Sequence, residues 1–97
     1  MKKVIVRGRD SGVFFGDLES QKGQEVVLRN VRKLYYWDGA CAVEELALNG
    51  VTKPQDCKFT VVVDEQTIAD MIQCIPCTDE ASNILTSVPE WKSKGRC

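Results

Sequence analysis

The sequence contains no histidine among its 97 residues. Histidine is the commonest general base in enzymes and the usual activator of a nucleophilic serine or cysteine. An enzyme of this composition would need paired carboxylates or a lysine as its acid and base, and no recognisable pattern places such groups together. We therefore predict a binding protein rather than an enzyme, with no cofactor and no metal site.

Long apolar runs and an excess of charge of either sign are also missing. No apolar run approaches the roughly 18 residues that a membrane-spanning helix requires, and residues 1–7 are too short and too quickly charged for a signal peptide. The formal net charge is −1, so no overall field attracts nucleic acid or a membrane surface. These absences predict a cytoplasmic protein without membrane contact, folded as one small domain over residues 1–97.

The five cysteines are an odd number and, without a secretory signal, free thiols are expected. Cys74 and Cys77 form a C-x-x-C, which serves elsewhere as half of a zinc site or as a redox pair. The other three cysteines form no second pair for zinc, and a redox pair should open a helix, whereas this one ends a predicted strand that contains Pro76. Half-buried packing residues are the favoured interpretation, and Cys97 is expected to be an exposed thiol.

Strand-type patterns dominate what is present. Predicted strands cover residues 3–7, 13–20, 25–37 and 57–63, with turns at 8–12 and 64–66. Gly16 within the second strand and Asn30 within the third predict bulges or bends. Residues 67–77 fit either a helix or a strand, and we favour a turn near Ile68 followed by a strand that ends at Pro76.

Two short helices are predicted between and after these strands. Apolar residues recur at helical spacing over residues 41–48, and Gly50 provides a stop signal because glycine adopts the left-handed conformation without strain. Asp79 is the predicted N-cap of a second helix over residues 80–87. The chain after this helix is expected to be extended, with Trp91 packed on the body of the domain.

The bent strands and short connections predict a mainly β or α+β domain. Its core would be a small, strongly bent antiparallel sheet, or a partial Sm-like or SH3-like barrel, with one or two short helices. Residues 12–18, Gly23 and residues 25–31 resemble the first half of such a barrel, in which the bent second strand carries a glycine where it wraps. A helix after Trp37 would interrupt the barrel, so a plain α+β sheet is the alternative. Neither fold determines a function.

Residues 29–37 combine cations with aromatic rings and contain the strongest candidate binding site. The cations can donate charge-assisted hydrogen bonds to phosphate, and the rings can stack on a base. Strand alternation would place Lys33, Tyr35 and Trp37 on one face. The alternative is a half-buried strand whose rings fill the core and whose cations face solvent. The candidate ligand-binding residues of this segment are Arg29, Arg32, Lys33, Tyr35 and Trp37.

The turn over residues 8–12 is a second candidate anion site. Its backbone N–H groups, together with Arg7 and Arg9, could form a concave nest for an anion. The alternative is a solvated hairpin tip, and no phosphate-binding glycine motif strengthens the case.

A string of specific residues runs through most of the chain. It consists of Leu-Tyr-Tyr-Trp-Asp-Gly-Ala at 34–40, Glu-Leu-Ala at 45–47, Gly50, Pro54, Cys-Lys-Phe at 57–59, Ile-Pro-Cys-Thr at 75–78 and Val-Pro-Glu-Trp at 88–91. This string resembles a family of short proteins of unknown function encoded in bacteriophages and prophages. The resemblance covers the whole chain and implies a phage origin, but it implies no activity and no site residues.

Three functions are compatible with these observations. The first is a phage accessory protein of the anti-defence type that sequesters a small nucleotide, as a homo-oligomer with the ligand between subunits. The second is an inhibitor that binds a host protein through a sheet edge or an aromatic patch, with Trp37 and Trp91 as hot spots if they are exposed. The third is binding of single-stranded nucleic acid, which the neutral overall charge disfavours.

Overall fold

The structure is a computed structural model that describes residues 2–91. The elements are β1 (Lys2–Gly8), β2 (Val13–Lys22), β3 (Glu25–Tyr36), α1 (Val43–Asn49), β4 (Lys58–Phe59), β5 (Val63–Ile68), β6 (Met71–Pro76) and α2 (Asp79–Ser87). All ladders between these strands are antiparallel. The predicted fold class, a small antiparallel sheet with two short helices, is confirmed.

The sheet has the strand order β4-β3-β2-β1-β6, and β5 pairs with the first half of β3. The two halves of β3 therefore have different partners, since its last residues pair with β4. A short turn joins β5 to β6, although they pair with different strands of the sheet. No ladder connects β5 and β6 within residues 2–91, so the sheet is bent but not closed. The predicted bent antiparallel sheet is confirmed, and within residues 2–91 it does not close into a barrel.

Two residues produce the bend where β2 crosses β3. Asn30 has a φ of 49°, in the left-handed region that asparagine tolerates better than most residues. Opposite it, the pairing register shifts between Phe15 and Asp17, on either side of Gly16. A Cβ atom at Gly16 would lie 3.0 Å from the Cα atom of Val31. Only glycine allows this close approach, and the irregularities predicted at both positions are confirmed.

Alternate side chains of the sheet enter two separate apolar clusters. On one face, Ile5, Phe15 and Leu34 pack against both helices. On the other, the strands contribute the buried residues Val4, Val6, Phe14, Val26, Leu28, Val31, Ile68 and Met71. The seven-residue helix α1 is too short to be stable alone. It is held by burial of its apolar face, where fully buried Leu46 alone contributes about 1.5–3 kcal/mol.

The region after β3 differs most from the predicted boundaries. The strand predicted over residues 57–63 is only Lys58–Phe59, and β5 occupies the residues predicted as the turn 64–66. The polar run in β5 resembled a turn, but Glu65 pairs with Arg29 in a strand with mostly exposed side chains. Charged residues are common in such strands because they discourage edge-to-edge aggregation. The prediction of a turn near Ile68 placed it slightly early, since Ile68 is the last residue of β5.

The helix ends also differ from the prediction in detail. Thr78, rather than Asp79, caps α2, because the Thr78 hydroxyl accepts a hydrogen bond from the backbone N–H of Ala81. Helix α1 begins at Val43 and is followed by Gly50 with a φ of 73°, as the predicted stop signal requires. Neither helix in residues 2–91 has the length and hydropathy needed to cross a membrane.

Candidate functional site

Arg32, which the sequence suggests as a ligand contact, is buried and bonded to backbone carbonyls of the protein. Only 3% of its surface is exposed. Its Nε donates to the carbonyl of Thr60 at 3.1 Å, and its Nη1 donates to the carbonyls of Leu85 at 3.2 Å and Val88 at 2.8 Å. The guanidinium also lies 5.3 Å from the centroid of the Phe59 ring, and burial lowers the pKa of Arg32. These contacts fasten the end of α2 to β3.

The other two cations of the segment have different neighbours. Arg29 donates to Glu19 and to Glu65, each at 3.2 Å, and these exposed ion pairs link β3 to the strands on either side. The ammonium of Lys33 lies 6.0 Å from the centroid of the Phe14 ring. The structure therefore does not assemble the three cations into one phosphate-binding group.

Trp37 and Tyr35 are also separated by the fold. Trp37 packs against the cluster beneath the helices, whereas Lys33 lies beside Phe14 of the opposite cluster. The prediction that Trp37 shares a face with Lys33 was wrong. The reason is that β3 ends at Tyr36, and its pairing with β4 shifts register at this point, so the alternation does not continue. Tyr35 is 61% exposed.

The nest predicted beside Arg7 and Arg9 is occupied by a side chain of the protein itself. The Asp70 carboxylate accepts hydrogen bonds from the backbone N–H groups of Asp10 at 2.8 Å and Ser11 at 3.0 Å, and from the Ser11 hydroxyl at 2.6 Å. These bonds lower the pKa of Asp70. Arg7 and Arg9 are both exposed. The turn thus binds an anion, as its geometry suggested, but that anion joins the β1–β2 hairpin to the β5–β6 turn.

The two thiols of the C-x-x-C pack on different sides of the sheet. Cys74 contacts the cluster that contains Phe14, and Cys77 contacts the cluster beneath the helices. Burial raises the pKa of both thiols, that of Cys77 to about 11. Neither is therefore an activated nucleophile at neutral pH. Within residues 2–91, no three His, Cys, Asp or Glu residues are grouped to hold a metal ion, and Cys97 lies outside the described residues.

Four exposed side chains form a cluster at the junction of β3, β4 and the chain beyond α2, which we term the aromatic platform. It consists of Tyr35, Tyr36, Lys58 and Trp91. Tyr35 and Trp91 stack with ring centroids 5.5 Å apart and planes inclined by 9°. The Lys58 ammonium lies 5.9 Å from the Tyr36 centroid and 5.4 Å from that of Trp91. The rings are 61% (Tyr35), 50% (Tyr36) and 39% (Trp91) exposed.

Backbone contacts hold the platform in place. The backbone N–H of Trp91 donates to the carbonyl of Phe59 at 2.8 Å, and a parallel bridge joins Phe59 to Glu90. The prediction that Trp91 packs on the body is confirmed. Sequence reasoning missed Tyr36 and Lys58, because the pairing of Tyr36 with Lys58 joins segments more than twenty residues apart. Val61 and Val62, which follow β4, are also exposed.

Two grooves lie beside α2, and their lining residues are different from the four of the platform. The larger has a volume of about 490 Å³ and is lined by Lys2, Lys3, Cys77, Asp79, Ser82 and Asn83. The smaller, of about 90 Å³, is lined by Lys3, Phe15, Asn30, Arg32, Val62 and Thr86. Lys3 lines both, so the two grooves adjoin.

Comparisons with known proteins identify the family of the chain. Neither a search of curated proteins nor a search of solved structures finds a match. A family model described as Domain of unknown function (DUF6948) matches residues 1–85, which is most of the chain. This agrees with the resemblance to a family whose function is not known. The chain belongs to the DUF6948 family.

Proposed function

We propose that this protein is a non-catalytic binding protein that contacts a protein partner through the aromatic platform. The observation that carries the proposal is the clustering of three exposed rings and one lysine on a surface held by backbone hydrogen bonds. Tyrosine and tryptophan are enriched among the residues that contribute most to binding at protein interfaces. Isolated exposed apolar residues are common, whereas a contiguous exposed cluster marks an interaction surface.

The platform is also ordered before any partner arrives. The stack of Tyr35 on Trp91 and the position of Lys58 over both Tyr36 and Trp91 restrict all four side chains. Side chains that are ordered in advance lose less conformational entropy on binding. Lys58 keeps the surface hydrated in the free protein and can pair with a carboxylate at the rim of an interface.

A small nucleotide is the second candidate ligand of the platform. A base can stack on Tyr35, which is 61% exposed, and Lys58 can neutralise a phosphate nearby. This candidate is weaker because Arg29 and Arg32, the cations expected to hold the phosphate, are engaged in contacts within the protein. The same engagement of Arg29 and Arg32 also makes single-stranded nucleic acid a weaker candidate ligand.

The resemblance to phage-encoded proteins supports a biological setting within this proposal. In that setting the protein acts in the cytoplasm of an infected host, as an accessory protein of the anti-defence type, and its partner is a host protein. A homo-oligomer would present two or more platforms and increase binding by avidity.

The test compares the wild-type protein with a Tyr35→Ala/Trp91→Ala variant and with Ile72→Ala as a control. Ile72 is an exposed apolar residue of β6 outside the platform. Each protein is immobilised and exposed to host lysate, and the dissociation constant of any captured, identified and purified partner is then measured. We expect the double variant to weaken binding about 30-fold or more, as the loss of a hot spot of at least 2 kcal/mol requires.

Ile72→Ala should bind the partner as the wild type does. Equal binding by the platform variant, or capture of no stoichiometric protein by the wild type, would contradict the proposal. A thermal-shift screen with cyclic oligonucleotides and ADP-ribose derivatives tests the nucleotide candidate separately. A binding constant that falls steeply with salt would instead indicate a nucleic acid.

A further inference from the structure

We propose that the two adjoining grooves beside α2 form a binding site for a phosphorylated small molecule of nucleotide size, with its phosphoryl group in the smaller groove between Lys3 and Arg32. This site is distinct from the aromatic platform and does not depend on the function proposed for it. Of the candidate ligand-binding residues predicted from the sequence, only Arg32 lines these grooves.

Four residues that line the smaller groove carry side chains able to donate hydrogen bonds. They are Lys3, Asn30, Arg32 and Thr86. Its volume of about 90 Å³ corresponds to about three water molecules at about 30 Å³ each, which is enough for a phosphoryl group. Guanidinium and ammonium groups are the side chains that most often bind phosphate.

Arg32 has one nitrogen that the protein leaves without a partner. Its Nε and Nη1 donate to backbone carbonyls, but its Nη2 is buried and makes no hydrogen bond. Leaving a buried donor unpaired costs about 1–3 kcal/mol, and more when the group is charged. Buried polar groups are nearly always satisfied, so this nitrogen is a candidate donor to a bound acceptor. An oxyanion seated in the groove that Arg32 lines would supply that acceptor.

The local charge balance favours an anion at this point. Lys3 donates to Asp17 at 2.7 Å, which uses one of its three protons. Asp17 also accepts from Asn30 at 3.0 Å, so its charge is already compensated by two donors. Among the residues that line the smaller groove the charged ones are both cations, Lys3 and Arg32. Glu90 also acts electrostatically on Arg32.

The larger groove can accommodate the rest of the ligand. Its volume of about 490 Å³ lies within the range of roughly 300–1,000 Å³ that small-molecule sites occupy. Asp79, Ser82 and Asn83 can accept hydrogen bonds from sugar hydroxyls or from ring N–H groups, while Lys2 adds a second cation at its edge. This lining fits a polar moiety, such as a nucleoside, attached to the phosphoryl group.

Two neighbouring exposed residues of α2 provide a matched test. Thr86 lines the smaller groove, whereas Ser87 is not among its lining residues. Thr86→Asp places a negative charge beside the proposed phosphoryl position, and Ser87→Asp adds the same charge to the same helix outside it. Melting temperatures of both variants show that the fold is retained. The probes are inorganic phosphate and adenosine monophosphate, titrated into the full chain and followed by backbone amide NMR shifts.

We expect saturable shifts at Lys3, Asn30 and the C-terminal half of α2 with both probes, and tighter binding of adenosine monophosphate than of phosphate. Thr86→Asp should weaken phosphate binding about tenfold or more through charge repulsion in a partly buried site, whereas Ser87→Asp should leave it within about twofold. No saturable shift at about 10 mM phosphate, shifts centred on other residues, or equal effects of the two variants would overturn the phosphate site. Equal affinity for the two probes would overturn the role of the larger groove. None of these results bears on the platform.

Discussion

The middle of β3 and its C-terminal end were both predicted to contribute to one binding site, but the fold uses them in opposite ways. In the middle, Arg29 and Arg32 are tied to carboxylates and carbonyls of the protein itself. At the end, Tyr35 and Tyr36 remain largely exposed. The cations donate to neighbouring strands and to a helix end, whereas the rings remain at the surface. Within this segment, the exposed rings rather than the internally bonded cations support the proposed protein-binding platform.

Replacement of Arg32 should lower the free energy of unfolding more than any other change proposed for β3. It most directly tests the contrast between the middle of the strand and its end. Arg32→Ala leaves the carbonyls of Leu85 and Val88 without their donor and opens a gap beside Phe59. We expect a loss of about 3–5 kcal/mol in the free energy of unfolding, measured by urea denaturation. Arg29→Ala is the control, since its exposed ion pairs contribute about 1 kcal/mol or less. Similar losses of stability in Arg32→Ala and Arg29→Ala would contradict the structural role assigned to buried Arg32.

The second prediction concerns how the stability contributed by Asp17, beside the bend, depends on pH. Burial raises the pKa of Asp17, but hydrogen bonds from Asn30 and Lys3 outweigh it, so the pKa is lowered overall. A carboxyl group whose pKa is lower in the folded state stabilises the fold above its unfolded pKa of about 3.9 and loses that contribution as the pH falls through the folded pKa.

Asp17→Asn should therefore reduce the stability by about 1 kcal/mol at neutral pH. The difference from the wild type should shrink steadily below about pH 4. Urea denaturation at a series of pH values measures both. A difference that is unchanged between pH 7 and pH 2.5 would show that the ionised form of Asp17 does not stabilise the bend.

The smallest effect on stability is expected at the other end of the strand. Tyr35→Ala removes an exposed ring and should change the free energy of unfolding by about 0.5 kcal/mol or less. It should also uncover Trp91, since the stack between them is lost, and so increase the quenching of tryptophan fluorescence by acrylamide. Phe59→Ala, at a fully buried ring, is the contrasting variant and should cost about 3–5 kcal/mol. A large destabilisation by Tyr35→Ala would mean that the platform belongs to the core.

Local patterns were sufficient for the first three strands and their irregularities. Gly16 and Asn30 produce irregularities through their own backbone preferences. These irregularities could therefore be predicted without knowledge of any distant contact. The boundaries of β4 and β5 could not be inferred in this way. Their residues form strands only because β3 pairs with them, and those pairings join segments more than twenty residues apart.

The candidate site was harder to predict than the fold for the same reason. The residue types of the basic-aromatic segment indicated binding, and one of them, Tyr35, lies on the platform. The role of Arg32 depends on carbonyls 53 and 56 residues further along the chain, which no local pattern reveals. Lys58 and Trp91 became part of a surface only when β4 and the chain beyond α2 were placed beside β3.

By itself, the sequence determined the properties that depend on composition and on short-range preference. These are a chain without imidazole, a predominance of strand-forming residues, the bend at Gly16 and Asn30, and the two short helices. The tertiary structure alone decided which cations are buried and which rings lie together on the surface. It also decided that the Asp70 carboxylate is the anion bound by the turn over residues 8–12. Hydrogen bonds and ring stacks act over a few ångströms in space, and only the folded chain brings their distant partners within that range.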